Sequence, residues 1–261
     1  MSHSKGFSLV ELAVALAIIT LLLAGALIPL STQIDVRNVA DTQRSMESIR
    51  EAIVGFAQAN GRLPCPANGS VAAGVAGAGT EVLSGASPNT TCTNAFGVVP
   101  WATLGVPETD NWGKRFSYWV SPVFSDGIGL NTFGAGCTPA PNPPSSFALC
   151  SLGTLTVNTR NEITHAATAV GLVLPAVIIS HGKNGFGAFT PGGATFTAPV
   201  GADEIANATG AATTFFSRTQ TPRASPCNDA AGPSFCEFDD IVVMITSNLL
   251  IARMVAAGRL P

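Results

Sequence analysis

Residues 7–30 read FSLVELAVALAIITLLLAGALIPL, and the fold turns on this stretch. From Leu12 to Ile28 only Thr20 and Gly25 interrupt strongly apolar side chains. At about 1.5 Å per residue the stretch, as a helix, is roughly 36 Å long, enough to cross a hydrocarbon core of about 30 Å. The six residues before it, MSHSKG, carry one lysine. A positive charge on a short N-terminal side favours a cytoplasmic N-terminus, which puts everything after residue 30 outside the cytoplasm. Glu11 is the exception within the apolar run. A charge at mid-bilayer costs roughly 2.5–3.5 kcal/mol, so this carboxylate either lies near the interface or has a positive partner within the membrane.

The rest of the composition agrees with one local apolar segment on an exported domain. The chain has 261 residues, 11% of them charged, 46% hydrophobic, with a formal net charge of −3. An average soluble domain is about 25% charged. The apolar fraction excludes a disordered chain, and a sequence pI of about 5.5 excludes a basic nucleic-acid binder. The apolar residues do not gather into several long runs, so a multispanning membrane protein is excluded as well.

Beyond the apolar run, Ile34, Val39, Met46, Ile49, Ile53 and Phe56 recur mostly at three-, four- and seven-residue steps. This is the stripe of an amphipathic helix. Arg37 with Asp41 and Asp41 with Arg44 add i,i+4 and i,i+3 support. Pro29 is placed to kink the helix, and Asn60-Gly61 followed by Pro64 is a stop signal. The expectation is one helix from about residue 7 to 59, embedded in membrane over 7–30 and amphipathic over 31–60, with its second half packed under a globular domain of residues 61–261.

That domain reads as strands separated by long loops. Residues 66–95, 134–146 and 190–234 are rich in small, polar and turn-forming residues and read as loops. Arg115–Val120 alternates and carries three aromatics, Gly153–Thr159 is β-branched, and Leu172–Ser180 and Asp240–Thr246 are buried apolar runs. Ser247 is placed as the N-cap of a short closing helix that ends at Gly258. The fold class expected is α+β: a long N-terminal helix on a C-terminal antiparallel sheet, with long loops.

All six cysteines, Cys65, Cys92, Cys137, Cys150, Cys227 and Cys236, lie after the apolar segment, in or beside loop tracts. An even count in an oxidising compartment favours disulfides over zinc, and no CxxC occurs. Six cysteines allow 15 connectivities. Sequential pairing, 65–92, 137–150 and 227–236, is the simplest, since each bridge closes one loop.

Lys5-Gly6-Phe7-Ser8-Leu9-Val10-Glu11-Leu12 resembles the processing site of type IV prepilins and type II secretion pseudopilins. The resemblance implies cleavage by a prepilin peptidase/methyltransferase between Gly6 and Phe7, so that residues 1–6 are a leader peptide and Phe7 becomes an N-methylated terminus. It implies that Glu11 pairs with the N-terminal amine of a neighbouring subunit during assembly. Such a pair has a physical basis, because a buried carboxylate beside a buried ammonium costs less than either alone. The partners implied are the peptidase, other pilin or pseudopilin subunits and an inner-membrane assembly platform, with no nucleic acid. The localisation implied is a single-pass inner-membrane protein with a periplasmic C-terminal domain, later part of a periplasmic pseudopilus or a surface pilus.

Two further segments are similar to major pseudopilins: Asp110-Asn111-Trp112-Gly113 with Tyr118, and Ile179-Ser180-His181-Gly182-Lys183-Asn184-Gly185 with Phe238-Asp239-Asp240-Ile241. In that group the loop holds calcium, and here Asn184, Asp203, Glu204, Asp239 and Asp240 are the candidate oxygen donors. The other reading is that Asp239 and Asp240 solvate a strand end or bond backbone amides. No other cofactor is expected. The long loops carry none of the resemblance and leave room for a tip-displayed adhesive or binding domain on a pilin tail. Ala24-Gly25-Ala26 also has the small-x-small form of an ordinary signal-peptidase site, which would instead release a secreted periplasmic protein. Catalysis is not expected: no GxSxG or HExxH occurs, His165 and His181 are the only histidines after the leader, and Gly127-Ile128-Gly129 lacks the rest of a dinucleotide fingerprint.

Overall fold

The computed structural model describes residues 8–130, 133–134, 136–137, 144–197 and 200–260, and within these the side chains of all but 22–32. Gly6 and Phe7 lie outside the described residues, as does part of the expected loop over 134–146. The chain divides into two compact units, Met1–Asp41 and Thr42–Pro261.

Helix α1 spans Leu9–Asn60 and continues through Pro29 without a break. Its N-terminus is closed by Ser8 and Glu11: the Ser8 N–H donates to Glu11 Oε2 at 3.0 Å, and the Glu11 N–H donates to Ser8 Oγ at 3.2 Å. This reciprocal pair is a capping box, which satisfies two backbone donors that a helix start leaves open. In the first unit the apolar side chains from Leu9 to Leu21 face outward: Leu9, Val10, Leu12, Val14, Leu16, Ile18, Ile19 and Leu21 are all more than half exposed. Among the described residues no helix is long and apolar enough to cross a membrane. Ile34 of the expected stripe is exposed, whereas Met46, Ile49 and Ile53 are fully buried in the second unit.

The second unit is α+β. After α1 come β1 (Leu83–Ser84), β2 (Thr91–Cys92), β3 (Phe96–Val98), α2 (Trp101–Leu104), β4 (Ser117–Val120) and α3 (Pro122–Ser125). There follow β5 (Leu155–Arg160), β6 (Ala167–Leu174), β7 (Ala176–Ser180), α4 (Ala202–Ala208), β8 (Thr214–Phe216), β9 (Ile241–Ile245) and α5 (Ser247–Ala256). The main sheet has the order β3-β4-β7-β9 and is antiparallel throughout. A second sheet, β6-β5-β8, pairs β5 with β8 in parallel, so the expectation of an antiparallel sheet holds for the main sheet and not for all of this one.

The period of two along each strand splits the main sheet into two buried faces. Trp119, Val177 and Ile179 share one core with Leu155, Val157, Leu174 and Phe215 of the second sheet. Trp119 and Phe215 are tilted ring to ring at 4.9 Å, a favoured aromatic geometry. On the other face Tyr118 is buried and donates to the carbonyl of Pro64, just beyond α1. The closing helix α5 is tied to the lower part of α1 by Gln58 Nε2 donating to Arg253 O and by Arg253 against Glu51 at 3.2 Å.

Three local expectations are corrected. The run Leu172–Ser180 is not one strand: Val173 takes a positive φ of 49° before Pro175, and the run is divided between β6 and β7. Proline has no N–H for a ladder, so the chain leaves one sheet there and enters the other. The N-cap of α5 is Thr246, whose hydroxyl accepts from Leu249 N, while Ser247 donates to Val173 O. The tracts 66–95 and 190–234 also contain β1, β2, α4 and β8, elements whose short lengths leave no periodic signal. Their loops are anchored by Arg115, which is fully buried, lies over Trp101 at 4.5 Å, and donates to Glu108, Gly69 O, Val71 O and Pro191 O.

The six cysteines form Cys65–Cys92, Cys137–Cys150 and Cys227–Cys236. The first closes the 66–95 tract, whose start is also held by Arg62 against Glu81 at 2.8 Å.

Candidate functional site

The register of β7 on β9 sets Ser180 opposite Ile241. It thereby brings the loop leaving β7, His181–Gly185, beside Asp239 and Asp240, which precede β9. Helix α4 adds Glu204 from its first turn. One ligand atom from each of Glu204, Asp239 and Asp240 lies within 4.8 Å of the others, and the three carboxylates are largely buried.

Backbone and amide donors hold this group in place. Glu204 Oε1 accepts from Asn184 Nδ2 at 3.0 Å and from Asp239 N at 3.1 Å. Asp239 Oδ2 accepts from Asn184 N at 2.8 Å, and Asp240 Oδ2 accepts from Asn207 Nδ2 at 2.8 Å. Gly182 permits the approach: its φ is 54°, and a Cβ there would stand 2.4 Å from the Asp239 carbonyl oxygen. Burial and the neighbouring Asp240 charge raise the Glu204 carboxyl to about 8. Burial also raises Asp239 to about 6, against the hydrogen bond from Asn184.

His181 stands at the edge of the group and is fully buried. Its Nε2 shares a hydrogen bond with Ser117 Oγ at 2.9 Å, and its Nδ1 faces Asp240 Oδ1 at 3.4 Å. Neither His181 Nδ1, Asp240 Oδ1 nor Asp239 Oδ1 has a hydrogen-bond partner among the described residues. Lys114 reaches the loop from the other side, where its ammonium donates to Gly182 O at 2.9 Å and to Lys183 O. Desolvation lowers the Lys114 pKa. The Asp110-Asn111-Trp112-Gly113 segment is the turn that aims this lysine: Asp110 Oδ1 accepts from Trp112 N and Lys114 N, and Asp110 Oδ2 accepts from Ser180 Oγ at 2.7 Å.

Five oxygen donors were expected, and three converge. Asp203 is turned away: Arg160 and Arg218 both pair with its carboxylate, at 2.7 and 2.8 Å. Asn184 presents its NH2 to the group, because its Oδ1 accepts from Phe186 N. The loop carbonyls of Gly182 and Lys183 accept from Lys114. Calcium takes six to eight oxygens, waters among them; of the five expected donors, Glu204, Asp239 and Asp240 stand close enough to share an ion, while Asp203 and the Asn184 oxygen are engaged elsewhere. The sequence places His181 in the candidate loop, and gives no sign that Ser117, Asn207 and Lys114 are neighbours of the group.

At the other end of the chain, Glu11 is exposed and engaged with Ser8 as described. Residues 1–27 match the family model for the prokaryotic N-terminal methylation motif. The chain therefore carries a type IV prepilin-type signature at its N-terminus. No curated protein and no solved structure matches the chain.

Proposed function

We propose that this protein is a structural subunit of a type IV pilus or a type II secretion pseudopilus. The observation that carries the reading is the prepilin-type signature at residues 1–27. In this reading residues 1–6 are a leader removed by a prepilin peptidase between Gly6 and Phe7, and Phe7 is then methylated. Residues 7–30 hold the protein in the inner membrane, with residues 61–261 in the periplasm, until an assembly platform draws the subunit into the filament. Residues 31–60 carry the helix on from the membrane into the exported domain.

The exposed apolar surface from Leu9 to Leu21 supports this reading. A row of large apolar side chains standing in water is unfavourable by about 25 cal/mol per Å², and lipid or the helices of neighbouring subunits would cover it. Association of such helices rests on packing and polar pairs rather than on the hydrophobic effect, since lipid is as apolar as the neighbours. The charged pair between Glu11 and a neighbour's terminal amine supplies the polar part. The role is structural rather than enzymatic.

Mass spectrometry of the mature N-terminus tests the reading. A terminal N-methylated Phe7 is expected. A mature chain beginning at Leu27, after Ala24-Gly25-Ala26, would replace it with an ordinary exported protein.

A further inference from the structure

We propose that the tip of the β5–β6 hairpin, led by Ile163, inserts into an aromatic cleft beside α4 on the next copy of this chain. The inference rests on the filament reading, which supplies the neighbouring copies, and it names one contact by which their exported domains meet.

The tip is built as a rigid knob. Ile163 is 89% exposed, the highest value among the large apolar side chains described. Asn161 closes its turn: the side-chain Oδ1 accepts from Ile163 N and Thr164 N, both at 2.9 Å, the Asn161 N–H donates to Ala166 O, and the Asn161 carbonyl accepts from His165 N. His165 is buried and stacked on Phe235 at 4.0 Å, which pins the base of the turn to the body. A β-branched side chain has few rotamers to lose, so ordering it in a contact costs little entropy. Glu162 is the one charge at the tip, and its carboxylate accepts from Thr219 Oγ1 at 3.3 Å. Behind the tip, Ala167, Thr168, Ala169 and Val170 of β6 are exposed, and β6 carries no charged residue. Such a neck approaches an apolar surface without desolvating a charge.

The cleft is the complement of this knob. It measures about 390 Å³ and is walled by Phe96, Phe189, Phe196 and Ile205 above the buried ring of Trp119. Among the described residues no charged side chain lines it. Phe96, Phe196 and Ile205 are each more than a third exposed, so the rim is an apolar patch standing in water, of the kind that marks an interaction site. Its walls are fixed. The Phe96 ring packs against Gly210, where a Cβ would stand 2.3 Å from it, and Trp119 Nε1 donates to Gly210 O at 2.9 Å. Anchors of protein–protein contacts are side chains seated in well-packed pockets.

Residues 161–164 are absent from the lining of the cleft, so a chain's own tip does not fill it. Each copy thus carries one knob and one hole on different elements. A contact of that kind runs head to tail. It leaves a free knob at one end and a free hole at the other, and it propagates as an open helical array unless the rotation closes a ring.

The test uses sheared filaments from cells making the full-length chain. No cysteine among the described residues is free, and Thr195 lines the cleft. The double variant Ile163→Cys with Thr195→Cys is expected to give a ladder of cross-linked multimers on mild oxidation, and each single variant none. Ile163→Asp is expected to be processed to N-methylated Phe7 as usual and yet lower filament recovery at least tenfold, because it sets a charge in an apolar cleft. Ile163→Val is expected to assemble at the unmutated level. Filaments of the double variant that form without a ladder, or unmutated recovery from Ile163→Asp, would overturn the contact and leave the filament reading standing. A cross-linked dimer from Ile163→Cys alone would overturn it as well, since tip would then meet tip. Absence of both N-methylated Phe7 and filaments in the unmutated protein would overturn the two readings together.

Discussion

In the filament reading Glu11 contributes to assembly in two ways, which substitution separates. Its carboxylate caps its own helix with Ser8, at 3.0 and 3.2 Å, and in the filament reading its charge pairs with a neighbour's terminal amine. Glutamine preserves the cap, since Gln serves at the third position of a capping box as Glu does, but removes the charge. Ser8→Ala does the reverse. Losing a cap costs about 1 kcal/mol, within a range of roughly 0.5–2 kcal/mol. Leaving a buried ammonium without its carboxylate costs about 3–5 kcal/mol. At 1.4 kcal/mol per tenfold, the first is about a fivefold loss per subunit contact and the second is more than a hundredfold. Glu11→Gln should therefore be cleaved and methylated normally yet leave the subunit in the membrane pool, while Ser8→Ala should still assemble. Immunoblots of sheared filaments against membrane fractions measure both. Filaments at the unmutated level from Glu11→Gln would refute the charge-pair reasoning. A loss in Ser8→Ala equal to that in Glu11→Gln would show that capping is what assembly requires.

Three further outcomes follow from the second unit. Replacing Cys65 and Cys92 by serine opens a loop of sequence separation 27 and should lower stability by about 3.5 kcal/mol, against about 2.6 kcal/mol for Cys227 and Cys236 at separation 9, read from denaturant melts. Arg218→Met should destabilise by about 3–5 kcal/mol, because Arg218 pairs with both Asp203 and Asp229, whose carboxylates are fully buried; a change below about 1 kcal/mol would contradict that role. In chelator-treated protein, stability should fall as pH rises from about 4.5 to about 8. Over that window Glu204 is ionised in the unfolded chain and still protonated in the folded one, so the unfolded state binds fewer protons. Thermal melts across this range that are flat, or that rise, would show that the carboxylate is not desolvated as described.

The N-terminal half was legible because its signals are local. A long apolar run, a stripe at helical spacing and a Gly-Phe junction with a following glutamate can each be read from neighbours in sequence. The pattern Ser8-Leu9-Val10-Glu11 is equally local, since a Ser and a Glu three residues apart make a capping box. The strands β4, β5, β7 and β9 were visible from alternation or from β-branched and apolar content. Where two readings of one run were equally apolar, as at Leu172–Ser180, Pro175 carried the decisive information, and its effect depended on which sheet each half could join.

What the sequence by itself determined, then, is the prepilin-type signature, the long helix, the main strands and the presence of disulfides, because these rest on periodicity, covalent chemistry and short motifs. Only the tertiary structure decided which acids meet. Asp203 and Glu204 are adjacent in sequence and on the same helix. Yet α4 turns one toward Arg160 and Arg218 and the other toward Asp239 and Asp240. Successive residues on a helix point about 100° apart, so adjacency in the chain separates them while the β7–β9 register gathers His181 with Asp239 and Asp240, 58 and 59 residues further on. Chain order does not encode that convergence; strand pairing does.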